Sequence, residues 1–348
     1  MIWEEAEKPS TPEQSRGQLS TQLTVTGVPS TRKGEQVDLK EAFAATLSQL
    51  DFSPTCVELA SQRYQAIKQT IEQALPGKTV SPIGSFQRQT TIRPPDGSDT
   101  LAIDLLVRCT TARWSLFGIP GVWQTPASAL HQIQRVLVAE QTYSLTRPQA
   151  ATPTVLLRYA DQCTFQLVPA LVDKTGRHQH RPGEPDCYLV GVTRHSWSPA
   201  DYDYEAASLS SLDLLTGGRL VPAIKLIKAF LRGQGFSPDP LPSFHLELLC
   251  ARILPPILVF WETYGLGWGY QQVLAYFLSN IGNQLASPVA LPHSYSPPLQ
   301  LNLSPADLYV LKNKVDLLGQ AARRLCRLPE TPDTCKRWRE FFGDPFPV

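Results

Sequence analysis

The sequence predicts an α+β fold, with a mixed sheet core followed by a C-terminal helical domain. Three observations carry this. Between residues 80 and 200 the apolar residues fall in strand-length runs, two of which, TPTVLLRY and TFQLVPALV, flank the hairpin-like turn Ala160-Asp161-Gln162. From about Ala206 onward they recur instead at helical spacing. The chain has 348 residues, of which 42% are hydrophobic and 18% charged, enough to bury one or two substantial cores.

Residues 1–33 are rich in Pro, Ser, Thr and Gln and read as a polar arm. A first helix is expected over residues 39–50, with Ala42, Phe43, Ala45, Thr46 and Leu50 on one face. Ser53-Pro54 is a helix-start signal. It opens a long helix carrying Val57, Leu59, Ala60, Tyr64, Ile67, Ile71 and Ala74, which ends near Leu75-Pro76-Gly77. Ser81-Pro82-Ile83 leads into a Gly84-Ser85 turn, and a strand ends the segment at Leu105–Arg108. An aromatic connection with Gly and Pro follows over residues 111–123, then a helix over residues 128–139. The two strand candidates join the Asp104 strand in a mostly antiparallel sheet. Tyr188-Leu189-Val190 reads as a short strand and Trp197-Ser198-Pro199 as a turn. The helical part comprises LVPAIKLIKAFLRGQG, stopped at Gly235, and SFHLELLCARIL, with Ser243 as its N-cap. It continues with helices over residues 270–285 and 305–328, the latter with Leu308, Val310, Leu311, Val315, Leu318 and Ala321 as core. A short helix in the tail closes the chain.

Charge and cysteine content narrow the function. A formal net charge of +1 gives no global field toward nucleic acid or membrane, and weighs against a long nucleic-acid substrate. No run reaches the ~18 apolar residues of a membrane span. The first residues lack a basic segment followed by an apolar one, so no secretory signal is read and a cytoplasmic protein is expected. The 7 cysteines are odd in number and form no CxxC pair, which disfavours a disulfide framework and a zinc cluster. His178, His180 and Asp186 lie in a hydrophilic loop and read as solvated rather than metal-bound.

The segment with most chemistry is GSFQRQTTIRPPDGSDTLAIDLLV, Gly84 to Val107. Gly84 permits close approach of backbone to a ligand, and Ser85 offers a hydroxyl and an N–H to a phosphate. Asp104 stands in an apolar strand, where a carboxylate wants a partner, a metal or an edge position. By residue chemistry alone the segment reads equally as a turn serine followed by a strand-end aspartate.

Gly84, Ser85, Thr90 and Asp104 resemble the signature of the nucleotidyltransferase superfamily. The similarity is greatest to the bacterial oligonucleotide-synthase group related to animal cyclic GMP-AMP synthase and oligoadenylate synthase. FQLVPA and SFHLELL continue the resemblance in the same order, and it covers roughly residues 63–249. It implies a polymerase-beta-like fold, with residues 34–205 as the nucleotidyltransferase core and spine helix, and residues 206–348 as a helical domain closing the nucleotide cleft. It also implies Mg²⁺ or Mn²⁺ on Asp104, and phosphate contacts from Gly84, Ser85, Lys228 and Ser243. Phe244 stands in place of a base-stacking tyrosine. His245 and Glu247 are expected to pack the helix and support the site.

The departures from this signature concern the metal ligands. Asp-x-Asp on a strand points both side chains to one face, but Ala102 occupies the first position. The third carboxylate position falls on Gln166, whose amide brings no charge. Asp99 is out of register with the strand. The resemblance thus implies an antiviral second-messenger synthase, joining nucleoside triphosphates into cyclic or linear oligonucleotides, whose turnover is weak or lost. The alternative is a catalytically silent protein of the same fold that binds a nucleotide or short oligonucleotide and acts through a protein effector or activator.

Overall fold

Asp38 accepts a hydrogen bond from the Lys40 amide and so starts α1 (Leu39–Leu50). The computed structural model describes residues 38–109, 123, 125–140, 144–146, 154–172, 188–191, 195–236, 239–292, 297–343 and 346. These lie within the compact unit Gln36–Val348. Leu39, Ala42, Phe43, Thr46 and Leu50 are buried, while Ala45 falls between the buried rows and is exposed. The Phe43 ring meets Trp338, Phe342 and Phe346 edge-on, so α1 packs with the C-terminal helices.

Ser53 caps α2 (Pro54–Ala74), with Pro54 in its first turn. Only Ala60, Ile67 and Ile71 are fully buried along it, and Val57, Leu59 and Ala74 are exposed. The helix meets the sheet along one narrow seam.

The sheet comprises β1 (Lys78–Ile83), β2 (Ala102–Cys109), β3 (Ser144–Thr146), β4 (Val155–Arg158), β5 (Thr164–Val172), β6 (Tyr188–Gly191) and β7 (Trp197–Ala200). Its order is β1-β2-β5-β4-β3, with β6 pairing β5 and β7. The pairing of β2 with β5 is parallel and all others are antiparallel. A one-turn helix α3 (Gly84–Gln87) follows β1, and α4 (Pro126–Ala139) follows β2. Trp197-Ser198-Pro199, expected as a turn, is strand β7, because its backbone pairs with β6. Residues 173–187, with His178, His180 and Asp186, and all of 111–123 except Trp123 lie outside the described residues.

The helical part comprises α5 (Tyr202–Leu215), α6 (Leu220–Gly233), α7 (Ser243–Thr263), α8 (Tyr270–Ile281), α9 (Pro305–Leu325) and α10 (Pro332–Phe342). α6 is buried along most of its length and is the central helix, with Lys225 and Arg232 on its less buried side. α7 runs nine residues past the expected Leu254, through Pro255-Pro256. Each proline removes a helix hydrogen bond, but Leu254, Pro255 and Leu258 are buried and hold the continuation in place. Among the described residues this helix alone is long and apolar enough to cross a membrane, and half of its apolar stretch is buried inside the protein. Ser243 is the first residue of α7 and Pro242 takes the cap position, so the serine hydroxyl does not cap the helix.

On α9 the buried line is Leu311, Val315, Gly319 and Ala322. Val310 is exposed and Ala321 only half-buried, because the contact with α8 is narrower than the apolar pattern. A Cβ on Gly319 would sit 2.9 Å from the Leu278 carbonyl carbon and oxygen. Gly319→Ala is therefore expected to cost about 1–3 kcal/mol by overpacking two backbones. A lowered denaturation midpoint with an unchanged circular-dichroism spectrum is the check.

Candidate functional site

Side chains alternate along β2 and β5. Ile103, Leu105, Val107, Phe165 and Leu167 enter the core with Ala60, Ile67 and Ile71 of α2 and Ala129 and Ile133 of α4. Ala102, Asp104, Gln166 and Val168 therefore share the other face, where a cavity of about 380 Å³ opens. Gly84, Ser85, Asp104, Gln166, Ser243 and Phe244 all line it. The structure thus brings together residues spread over 160 positions of the sequence. Ala102 shares the face but is exposed and does not line the cavity. Lys228 is 4% exposed and also lies off the lining.

Asp104 is paired in register with Ile83 on one side and Gln166 on the other. The Gly84 backbone passes close above it, with φ +73°, and a Cβ on Gly84 would lie 2.9 Å from Asp104 Oδ2. Gly84→Ala combines a left-handed backbone with that clash. It is expected to cost about 1–3 kcal/mol and to displace the Asp104 carboxylate, a loss visible as a lowered Tm. Ser85 Oγ accepts from Thr91 Oγ1 at 3.0 Å. Asp99 accepts from Ser53 Oγ at 2.8 Å and from Arg93, which holds it away from the cleft.

No curated protein matches the sequence. Residues 38–182 match the family model of the Second Messenger Oligonucleotide or Dinucleotide Synthetase domain. Solved bacterial structures match over most of the chain. The Escherichia coli MS115-1 CdnC structure with ATP is 13% identical, covers 90% of this chain and 100% of its own, and has a TM-score of 0.64. CdnG from Bradyrhizobium diazoefficiens, in complex with GTP, is 15% identical over 88% of this chain and 95% of its own, with a TM-score of 0.62. The Vibrio cholerae cyclic AMP-GMP synthase DncV is 14% identical over 89% and 87%, with a TM-score of 0.56.

This chain has the fold of the bacterial second-messenger nucleotidyltransferases.

Within that fold the cleft contains groups that the sequence reading did not place there, namely Arg88, Tyr202 and Glu205, and Glu247, expected to support the site, lines it directly. Arg88 Nε donates to Glu247 Oε2 at 2.7 Å, and its Nη1 lies 3.8 Å from Glu205 Oε2. Lys228 Nζ donates to Glu247 Oε1 at 3.0 Å and to the Thr90 carbonyl at 2.8 Å. Two cations and two carboxylates thus form a buried, balanced cluster joining the Gly-Ser turn to α5, α6 and α7. The signal for it was legible in part. Lys228 and Glu247 each stand in an apolar helical run, where a lone charge requires a partner.

Electrostatics follow from this burial. Burial pushes the Asp104 carboxyl above the usual carboxylate range, with Arg88 opposing. The Tyr202 phenol is pushed up to about 12 by burial, then by Glu205 and Asp104. Burial would raise Glu247 as well, but Lys228 and Arg88 outweigh it and hold the carboxyl below its ordinary value. Burial lowers Lys228, partly offset by Glu247.

Two-metal phosphoryl transfer needs several hard oxygen ligands around one point. Ala102 contributes none and Gln166 contributes a neutral amide, which leaves Asp104 as the carboxylate of the expected set. Glu205 and Glu247 line the same cavity, but Glu247 is bound to Arg88 and Lys228, and Glu205 faces Arg88. Among the described residues no three His, Cys, Asp or Glu side chains are placed to hold a metal. Among the described residues the donor set does not fit a two-metal centre.

Proposed function

We propose that this chain binds a nucleoside triphosphate or a short oligonucleotide in the cleft and turns it over weakly or not at all. The observation that carries this is the pairing of Asp104 with Gln166, beside Ala102, in a cleft still lined by Gly84, Ser85, Ser243 and Phe244. In this reading the Gly84 turn, Ser85 and Ser243 contact phosphates, the Phe244 ring lines the base region, and Asp104 is the remnant of the metal set. Lys228 supports the site from behind. The bound nucleotide is the signal, read by a protein effector in a cytoplasmic antiviral defence pathway. CdnC has been solved in complex with a HORMA protein, which supports a protein partner for this fold in general terms.

Titration calorimetry with ATP and GTP tests binding, and labelled triphosphates with Mg²⁺ or Mn²⁺ test turnover. Saturable binding with little product is expected. Robust product from the unmodified chain would overturn the reading, and absence of any binding would leave a structural role alone.

A further inference from the structure

We propose that Arg88 is the phosphate-recognising cation of this cleft, in the place that the family resemblance gives to Lys228. The proposal rests on the reading that the cleft takes a nucleotide, and it names the group that selects the ligand's phosphate tail. Arg88 is the one Lys, Arg or His among the described residues that line the cleft. The other charged lining groups are Asp104, Glu205 and Glu247. Against these carboxylates Arg88 is the lining group whose charge can attract a polyphosphate.

The geometry suits a fork-shaped donor. Glu247 holds the Nε edge at 2.7 Å, while the guanidinium carbon lies 4.6 Å from the centre of the Phe244 ring. These two contacts fix the guanidinium plane. Nη1 is ion-paired with Glu205 at 3.8 Å, beyond hydrogen-bond range. The Nη groups are thus available for a two-point contact with phosphate oxygens, which a planar guanidinium makes better than an ammonium. Lys228, by contrast, lies outside the cleft lining and spends two of its three N–H donors on Thr90 and Glu247. It acts as a positioning residue: it fixes Glu247, and Glu247 fixes Arg88.

The test is the affinity ratio of ATP to adenosine, measured by calorimetry on the full chain at fixed Mg²⁺. Arg88→Gln is expected to lower this ratio about 10–100-fold, the range for lost hydrogen bonds to charged groups, by weakening ATP far more than adenosine. Arg88→Lys keeps a charge opposite Glu247 and guards against a folding defect, and it should lower the ratio less. Lys228→Met, which loosens Glu247 and through it Arg88, should lower the ratio less than Arg88→Gln does. An unchanged ratio in both Arg88 variants, or a fall confined to Lys228→Met, would overturn the proposal while nucleotide binding stands. Failure of the unmodified chain to bind ATP at all would overturn both readings.

Discussion

The double variant Ala102→Asp, Gln166→Asp is expected to raise nucleotide turnover by roughly two to three orders of magnitude over the unmodified chain. Position 102 lies two residues from Asp104 on the same strand face, and position 166 is its register partner on β5. Carboxylates at both places would converge with Asp104 on one point. Phosphoryl transfer gains several kcal/mol from charge stabilisation by divalent metals, and each 1.36 kcal/mol is a factor of ten in rate. Three carboxylates so close also repel one another. The variant should therefore melt below wild type without metal and recover on adding Mg²⁺, since a ligand bound only by the folded state stabilises it. Calorimetric Mg²⁺ binding and Tm report the restored site independently of activity. A variant that neither binds Mg²⁺ nor yields product would show that more than two side chains separate this chain from an active enzyme of this fold.

The second large effect concerns stability. Glu247→Ala would strand the Lys228 ammonium and the Arg88 guanidinium, which are 4% and 7% exposed. Breaking a buried ion pair by removing one partner costs about 3–5 kcal/mol. Denaturant unfolding should show a loss of that size, and adding Lys228→Met should recover part of it, because the stranded charge is then gone. The pH dependence has a fixed sign. The Glu247 carboxyl lies below its ordinary value in the folded state, so its contribution is present above the unfolded carboxylate value. It is lost as pH falls through the folded value. Asp104 works in the opposite direction, since burial raises its carboxyl. Ionised Asp104 is a local destabilisation at neutral pH, relieved on acidification.

Local signals were reliable wherever one element supplied the whole answer. The Ser53-Pro54 start of α2, the strand containing Asp104 and the order of the later helices all follow from spacing and capping chemistry. They failed where a neighbour decided. Val310 has the right spacing for a core residue, yet α8 covers only the line through Leu311 and Gly319. The Pro255-Pro256 pair reads as a helix stop, and burial of the surrounding residues overrides it. Arg88 sits in a polar run, QRQ, that resembles a solvated turn, and nothing near it in sequence names Glu247 as its partner.

By itself the sequence determined the fold class and put position 102, Asp104 and position 166 in strand runs. Set beside the family resemblance it also put Ala102 and Gln166 where that signature has carboxylates, because such a match can be read position by position. Only the tertiary structure decided which cation faces the ligand. Arg88 is 159 residues from Glu247, and Lys228 is 138 residues from the Thr90 carbonyl it binds. Which of two basic side chains is turned inward and which lines the cleft depends on these distant pairings, and no local propensity encodes them.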